Sequence, residues 1–245
     1  MRVSVRAMQE RGAVTGEFDR AAAAYDRLVG ANPGYHRHLR MSARRLGLPR
    51  EGAGMRILDL GCGTGASTAA LVRVLPRAET IGVDASAGML AVARSKRWPS
   101  GVRFIHARAE DLTTDDLDGP VDALFAAYLL RNCLDPDSAL ATMCSLLRPG
   151  GRLALHEYSV ADSAAARAVW SLVCWSVIIP LGRVLTGRAD LYRYLWRSVV
   201  EFDGAAGLRQ RMRAAGLADV RTVPLPGWQR GIVHTFLGRT TGGAQ

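Results

Sequence analysis

Three glycines at alternate positions, followed by an aspartate in the next apolar run, form the clearest chemical pattern in this sequence. Gly61, Gly63 and Gly65 stand in LDLGCGTG (residues 58–65), directly after an apolar segment. Without Cβ atoms they allow a tight turn and a close approach of the backbone to a ligand. Asp84 lies about twenty residues further on, where a carboxylate can accept hydrogen bonds from both hydroxyls of a ribose. The pattern predicts a site for a ribose-containing ligand.

Two other kinds of glycine-loop site fit this segment less well. Dinucleotide-binding proteins use GxGxxG, in which the third glycine comes one residue later, and no GK[ST] of a phosphate-binding P-loop follows here. A turn in an α/β protein that binds no ligand is the remaining alternative, and the register of Asp84 argues against it.

Strands and helices alternate around these residues. Apolar runs predict five strands, at residues 55–60, 80–86, 102–107, 121–128 and 152–159. Helical spacing of apolar residues predicts helices between these strands. A helix at 206–216 and two further strands, 219–225 and 231–239, close the chain. This rhythm predicts a seven-stranded, mostly parallel α/β sheet with its last strand antiparallel and helices on both faces.

The same pattern divides the chain into four regions. Residues 1–48 are expected to form an N-terminal helical cap, with a break at 30–34, and residues 49–160 the α/β core. Residues 161–199 are expected to form a helical insertion, and residues 200–245 a helix and strands that complete the sheet.

Composition restricts the class of protein. The 245-residue chain carries a formal charge of +10, but its arginines are scattered and Lys96 is its only lysine, so we expect no nucleic-acid partner. The four cysteines form no CxxC pair and no metal-binding spacing with the histidines, which predicts reduced thiols and no metal. The N-terminal residues lack the apolar core of a secretion signal, and we expect a cytoplasmic protein.

Several motifs together resemble those of class I S-adenosylmethionine-dependent methyltransferases, which have a Rossmann-like fold. They are ILDLGCGTG, GVDASAGML, RAEDL and LLRPGGRLALHEYS. Further segments resemble the ubiquinone/menaquinone biosynthesis C-methyltransferases, at residues 18–28, 34–40, 129–135, 156–159, 192–199 and 231–236. The resemblance covers nearly the whole chain and implies S-adenosylmethionine as cofactor.

The resemblance also implies how the cofactor is held. Gly61, Gly63 and Gly65 would pass beneath its methionine part, with Thr64 close by, and Asp84 would bind its ribose. The adenine would meet three further residues: Met89, the backbone of Ala109, and Glu110. An apolar packing role in the core is the alternative for Met89. The sequence departs from the family at Arg108, which cannot accept a hydrogen bond from the adenine amino group.

The implied acceptor is a quinol, whose nucleophile is the ring carbon ortho to a phenol. A hydrogen-bonding or charged group near the phenol oxygen would raise electron density at that carbon. The resemblance places Arg131 there, to stabilise a phenolate, and Asn132, to position the ring; bracing of the loop is the alternative for both. Further candidates are His36, Tyr25, His156 and Glu157.

Other departures leave the acceptor open. Leu129 replaces a glycine of the family close to the ring site, and family residues are also replaced near Val29 and Leu39. A reshaped acceptor pocket is therefore expected. One alternative is another isoprenoid or aromatic acceptor, methylated at carbon or oxygen. The other is a catalytically silent methyltransferase-like subunit that binds a partner. An oligomer is compatible with each of these functions.

The segment AVWSLVCWSVIIPLG (residues 168–182) is uncharged and lies in the insertion. It is shorter than the roughly twenty residues of a membrane-spanning helix and contains Pro180 and Gly182, so we expect no span. Three hypotheses remain for this segment: a lid over a lipophilic acceptor, contact with a bilayer surface, or a buried core helix. The residues concerned are Trp170, Val173, Trp175 and Ile178, with Arg183, Arg188, Arg193 and Arg197 following.

Overall fold

A computed structural model describes residues 34–186 and 189–242, apart from the side chains of residues 185–189. Tyr25, the motif at 18–28 and the first part of the predicted cap lie outside the described residues. Seven strands form one sheet: β1 (Arg56–Leu60), β2 (Glu79–Asp84), β3 (Val102–His106), β4 (Val121–Ala127), β5 (Leu147–Tyr158), β6 (Leu217–Pro224) and β7 (Val233–Thr240).

The strand order confirms the predicted topology. The sheet runs β3-β2-β1-β4-β5-β7-β6. Neighbours from β3 to β5 pair in parallel, whereas β7 is antiparallel to both β5 and β6. The parallel strands all end at one edge, and ligands bind at that edge in open α/β sheets.

Helices connect the strands and cover both faces of the sheet. They are α1 (Tyr35–Arg45), α2 (Ala66–Val74), α3 (Ala87–Arg94), α4 (Pro136–Ser145), α5 (Ala164–Val173), α6 (Ile179–Thr186), α7 (Ala189–Glu201) and α8 (Ala205–Ala214). A π-helical turn, Cys174–Ile178, joins α5 to α6.

The two faces follow from the alternation of side chains along each strand. On β1, Ile57 packs into the cluster that includes Leu39 of α1. Its neighbour Leu58 packs into the opposite cluster, with Leu140 of α4 and Met212 of α8. All five side chains are fully buried, so each face of the sheet has its own apolar core.

Several strand ends differ from the sequence prediction, and at two of them the local reason is clear. β2 ends at Asp84 rather than residue 86, because the Ser86 hydroxyl accepts a hydrogen bond from the Met89 amide and begins α3. β5 begins at Leu147 rather than residue 152, because Leu147 pairs with Val121 before an irregularity in the ladder.

Residues 164–186 of the insertion form a continuous run of helix, although Pro180 and Gly182 were expected to interrupt it. Pro180 is the second residue of α6 and follows the wider π-helical turn, which tolerates a residue without an amide hydrogen. Gly182 does not break the helix but makes room for a neighbour, since a Cβ at this position would collide with the ring of Tyr192.

One stripe of the insertion packs on the protein and the rest faces outward. Trp170 is fully buried and its ring lies 4.7 Å from that of Tyr158, between centroids. Leu172 is 67% exposed and Trp175 is 50% exposed. By length and mean hydropathy (1.6) alone, Ala164–Val184 could cross a membrane, although that apolar window is 22% buried against the protein.

Asp59 is a fully buried carboxyl group in the middle of β1. Its Oδ2 accepts hydrogen bonds from Ser67 Oγ (2.8 Å) and Thr68 Oγ1 (2.6 Å), both in the first turn of α2. Burial raises the pKa of Asp59 to about 7, although both hydroxyl hydrogen bonds act to lower it. These bonds tie β1 to α2 across the glycine turn.

The raised pKa of Asp59 predicts a specific loss of stability as pH rises. Between about pH 4 and pH 7 the folded state binds this proton and the unfolded state has released it, so unfolding becomes easier toward higher pH. Asp59→Asn keeps the volume and cannot ionise. Relative to this variant, wild type should lose about 2 kcal/mol of unfolding free energy between about pH 5 and pH 8.

Urea unfolding at the two pH values measures the effect. Asp111→Asn is the control, because that side chain is 72% exposed, and it should retain the pH dependence of wild type. If Asp59→Asn loses as much stability as wild type over the same interval, the carboxyl group is not protonated in the folded protein.

Candidate active site

A cleft opens at the edge where β1, β2 and β4 end. Its walls come from the loops after these strands and from the loop after β3. The residues that line it are Tyr35, Leu60, Gly61, Cys62, Gly63, Thr64, Ala66, Ser67, Val83, Asp84, Ala85, Ser86, Met89, Ala107, Arg108, Ala109, Glu110, Ala127, Tyr128, Leu129, Arg131, Asn132, Cys133 and Leu134. Residues predicted for the cofactor and for the acceptor therefore share one cavity.

The three glycines have different surroundings. Gly63 has φ +54°, and a Cβ there would meet no atom within 4 Å, so its backbone faces open space in the cleft. At Gly61 a Cβ would lie 2.9 Å from Leu129 Cδ1, and at Gly65 it would lie 2.8 Å from Trp98. Gly65 does not line the cleft. It precedes α2 directly, and the absence of a side chain allows the start of this helix to pack against Trp98.

Asp84 fixes the glycine loop from the end of β2. Its Oδ2 accepts from the Gly63 amide and its Oδ1 from the Ser86 amide, both at 2.8 Å. The carboxylate also lines the cleft, where a ligand hydroxyl can reach it. The aspartate thus holds the turn in shape and presents its carboxylate to the cleft.

Apolar and polar residues line the part of the cleft that is formed by α3 and the loop after β3. Met89 is 2% exposed and Ala109 is 9% exposed, and both line the cavity with Glu110. The Arg108 guanidinium lies 3.7 Å from the Glu110 carboxylate and 3.9 Å from that of Asp111. Arg108 thereby interacts with acidic side chains, of which Glu110 also lines the cleft.

The loop after β4 turns sharply at Tyr128. This residue has φ +57°, an unusual conformation for a bulky side chain. Its carbonyl accepts hydrogen bonds from Arg131 Nη1 (2.7 Å) and from Asn132 Nδ2 (3.0 Å). Its amide donates to the His156 carbonyl at 2.8 Å. Arg131 and Asn132 therefore brace a strained turn in the cleft wall.

Arg131 also forms a buried ion pair with Glu157. Arg131 Nη1 lies 2.8 Å from Glu157 Oε1, and the side chains are 6% and 1% exposed. Burial is the largest effect and acts to lower the pKa of Arg131, but Glu157, Tyr158 and Tyr194 together outweigh it, so the net pKa is raised and Arg131 stays charged. Among the described residues, Arg131 Nε has no hydrogen-bond partner, which leaves one buried donor.

His156 is fully buried and lies behind the cleft wall. Its Nε2 is 2.9 Å from the Tyr128 hydroxyl and its Nδ1 is 2.7 Å from Ser42 Oγ. Burial lowers the pKa of His156 to about 3, so the ring is neutral near physiological pH. Sequence reasoning missed Ser42 and Tyr128, although Ser42 occupies the buried face of an amphipathic helix, where a polar residue needs a partner.

Other predicted residues lie elsewhere. His36 is exposed on α1 and does not line the cleft; its ring stands edge-on to Tyr35, which does. Tyr25 lies outside the described residues. No residue of the insertion that the structure describes lines the cleft, but Tyr194 of α7 donates to Asn132 Oδ1 at 3.1 Å. The insertion therefore reaches the site through Asn132.

The donors and shapes of the cleft fit S-adenosylmethionine. Gly63 presents bare backbone to the cavity, Asp84 an acceptor carboxylate, and Met89 a buried thioether surface. In the described part of the chain, no group of three or more histidine, cysteine, aspartate or glutamate side chains could hold a metal ion.

Comparison with solved structures shows a shared fold. The chain aligns with phosphoethanolamine N-methyltransferase 2 of Haemonchus contortus in complex with S-adenosyl-L-methionine at a TM-score of 0.66 and 17% identity, over 98% of this chain and 60% of the other. A SAM-dependent methyltransferase of Thermotoga maritima, possibly a histamine N-methyltransferase, aligns at 0.63 and 20%, over 91% and 98%.

The sequence matches the ubiE/COQ5 methyltransferase family over residues 5–238. A demethylmenaquinone methyltransferase of Clavibacter sepedonicus is 35% identical over 85% of this chain and 84% of its own length. A ubiquinone/menaquinone biosynthesis C-methyltransferase of Idiomarina loihiensis is 33% identical over 86% and 85%. The family match and the identity to these relatives agree with a cleft that fits S-adenosylmethionine. The chain belongs to the ubiE/COQ5 methyltransferase family and is an S-adenosylmethionine-dependent methyltransferase.

Proposed function

We propose that this enzyme methylates a ring carbon of a lipophilic, prenylated quinol in the biosynthesis of a respiratory quinone. The observation that carries the proposal is that Gly63 and Asp84 line the same cleft as Tyr128 and Arg131, which define its acceptor end. The names of the similar proteins, which act in menaquinone and ubiquinone biosynthesis, support the same acceptor class.

The protein has a limited chemical task in this reaction. S-adenosylmethionine, when bound, supplies a methyl group already activated by its sulfonium. The chain must align the ring carbon with that methyl group and exclude water. In our proposal Asp84 binds the ribose, Met89 and Ala109 contact the adenine, and the glycine loop supports the methionine part.

Arg131 acts electrostatically at the acceptor end. A guanidinium stays protonated at any working pH, so it cannot serve as the base. Its fixed charge in a buried wall instead favours the phenolate form of the ring, which makes the ortho carbon more nucleophilic. Asn132 is held by Tyr194 and by the Tyr128 carbonyl, and we propose that it orients the ring.

Leu129 restricts the acceptor end of the cleft. Leu129 lines the cavity and packs over Gly61. The resemblance to the quinone-biosynthesis methyltransferases implies that the family has a glycine at the position of Leu129. We propose that this side chain narrows the space beside the ring and so tunes which acceptor is used.

The outer face of the insertion suits the surface of an anionic bilayer. It presents apolar side chains that are at least 42% exposed, namely Val169, Leu172, Trp175, Val177, Leu181 and Val184. Arg167 and Arg183 on the same helical run are exposed as well. The opposite stripe is anchored in the protein by Trp170, so we propose that the helix lies in the membrane interface rather than across it, on a protein that works in the cytoplasm.

The function is tested with purified enzyme, S-adenosylmethionine and two acceptor sets: demethylmenaquinols with tails of different length, and soluble phenols. We expect carbon methylation of the tailed quinols, identified by mass spectrometry and proton NMR of the product. Turnover of the soluble phenols alone would overturn the lipophilic acceptor. Binding of S-adenosylhomocysteine without any methyl transfer would favour the silent binding subunit.

Membrane contact is tested by sedimentation with phosphatidylglycerol vesicles. The pair Leu172→Ser and Trp175→Ser removes two exposed apolar side chains and should weaken binding at least tenfold, since each buried side chain contributes about 1.5–3 kcal/mol. Trp228→Ser is the control, because Trp228 is 40% exposed outside the insertion, and it should bind like wild type. Equal weakening in both variants would contradict the assignment of this face.

A further inference from the structure

A chain of buried side-chain hydrogen bonds runs from Arg45 on α1 to the wall of the cleft. Arg45 Nη1 is 2.7 Å from Thr235 Oγ1, and Thr235 Oγ1 is 2.6 Å from Ser42 Oγ. Ser42 Oγ is 2.7 Å from His156 Nδ1, and His156 Nε2 is 2.9 Å from the Tyr128 hydroxyl. The chain therefore connects α1, β7, β5 and the end of β4.

The first member fixes the direction of this chain. A guanidinium can only donate, so the Thr235 oxygen accepts from Arg45. If Thr235 donates to Ser42, and Ser42 donates to His156 Nδ1, the hydroxyl hydrogens of both Thr235 and Ser42 have an acceptor. The opposite direction would leave the hydroxyl hydrogen of Thr235, which is fully buried, without an acceptor among the described residues. A buried donor without an acceptor is unfavourable because it has lost its hydrogen bonds to water.

The histidine transmits the direction because it is neutral. Burial, with smaller effects from His38 and Arg45, lowers the pKa of His156 to about 3, so the ring carries one hydrogen. When Nδ1 accepts from Ser42, that hydrogen is on Nε2 and is donated to the Tyr128 oxygen. The hydroxyl hydrogen of Tyr128 is then left for another acceptor.

Tyr128 is held firmly in the cleft wall. Its left-handed backbone is braced through its carbonyl by Arg131 and Asn132. Its ring stacks on Tyr35, 6.0 Å away between centroids and tilted by 16°. Both tyrosines line the cleft next to Arg131. A strained bulky residue kept in place by so many contacts suggests a functional constraint.

We propose that the Tyr128 hydroxyl donates a hydrogen bond to an oxygen of the acceptor ring, and that His156, Ser42 and Thr235 are positioning residues that orient this donor. The inference rests on the proposed function and adds a residue to it. The ligand group it recognises is a phenolic or phenolate oxygen, beside the positive charge of Arg131. A donor at this place stabilises the negative charge that makes the ring carbon nucleophilic.

A second buried serine–histidine pair provides a matched control. Ser159 Oγ lies 3.0 Å from His234 Nδ1, and both side chains are outside the residues that line the cleft. Ser42→Ala and Ser159→Ala therefore remove equivalent buried hydroxyl groups, but only the first belongs to the chain that ends at Tyr128.

The direction is tested by nitrogen-15 NMR of histidine-labelled full-length protein. The resonances of His156 are identified by their absence in His156→Gln. We expect a neutral ring with its hydrogen on Nε2, unchanged in Ser159→Ala and shifted toward the Nδ1 form in Ser42→Ala. A hydrogen on Nδ1 in wild type, or a charged ring near neutral pH, would overturn the proposal.

The role is tested by kinetics with the tailed quinol. Tyr128→Phe should raise the KM for the acceptor or lower kcat by about tenfold, the effect of one hydrogen bond, with unchanged affinity for S-adenosylhomocysteine. Ser42→Ala should change acceptor kinetics in the same direction and Ser159→Ala should not. Unchanged kinetics in Tyr128→Phe would overturn the proposal. If wild type methylates no quinol, the proposed function fails, and the histidine tautomer then decides whether Tyr128 is a donor.

Discussion

The buried ion pair between Arg131 and Glu157 is the interaction on which the candidate active site depends. It joins the loop after β4 to β5, at the edge where the parallel strands end. Two charges in a site that excludes water are stable only when they are paired and hydrogen-bonded. Glu157 Oε1 accepts from both Arg131 and the Tyr158 amide, whereas Glu157 Oε2 and Arg131 Nε have no partner among the described residues. The pair thereby fixes one positive charge in the wall of the cleft.

Tyr128 extends this constraint in two directions. Its carbonyl is held by Arg131 and Asn132, and its hydroxyl meets a hydrogen-bond chain that passes through His156 to α1 and β7. Asp84 plays the corresponding part on the cofactor side, where it holds the Gly63 amide. The cleft is thus built from short polar links between strand ends, and the apolar clusters on the two faces keep those strand ends in register.

The position of the glycine turn beside Asp84 was predictable because local spacing determines it. A glycine turn after β1 and Asp84 at the end of β2 need only the sheet to bring them together. The acceptor half was less predictable, because Ser42 and Thr235 meet His156 only through packing of α1 and β7 against β5. The continuous helix through Pro180 also required tertiary information, namely the π-helical turn and the contact of Gly182 with Tyr192.

The most direct test of this account is to remove the charge of Glu157 and keep its shape. In Glu157→Gln the Arg131 charge stays buried without its partner, which should lower the unfolding free energy by about 3–5 kcal/mol. Affinity for S-adenosylhomocysteine, measured by calorimetry on the folded variant, should stay within a factor of about three, because Asp84 and Gly63 are untouched. Methyl transfer should fall at least tenfold. Wild-type stability and turnover in this variant would contradict the claim that the ion pair organises the acceptor end of the cleft.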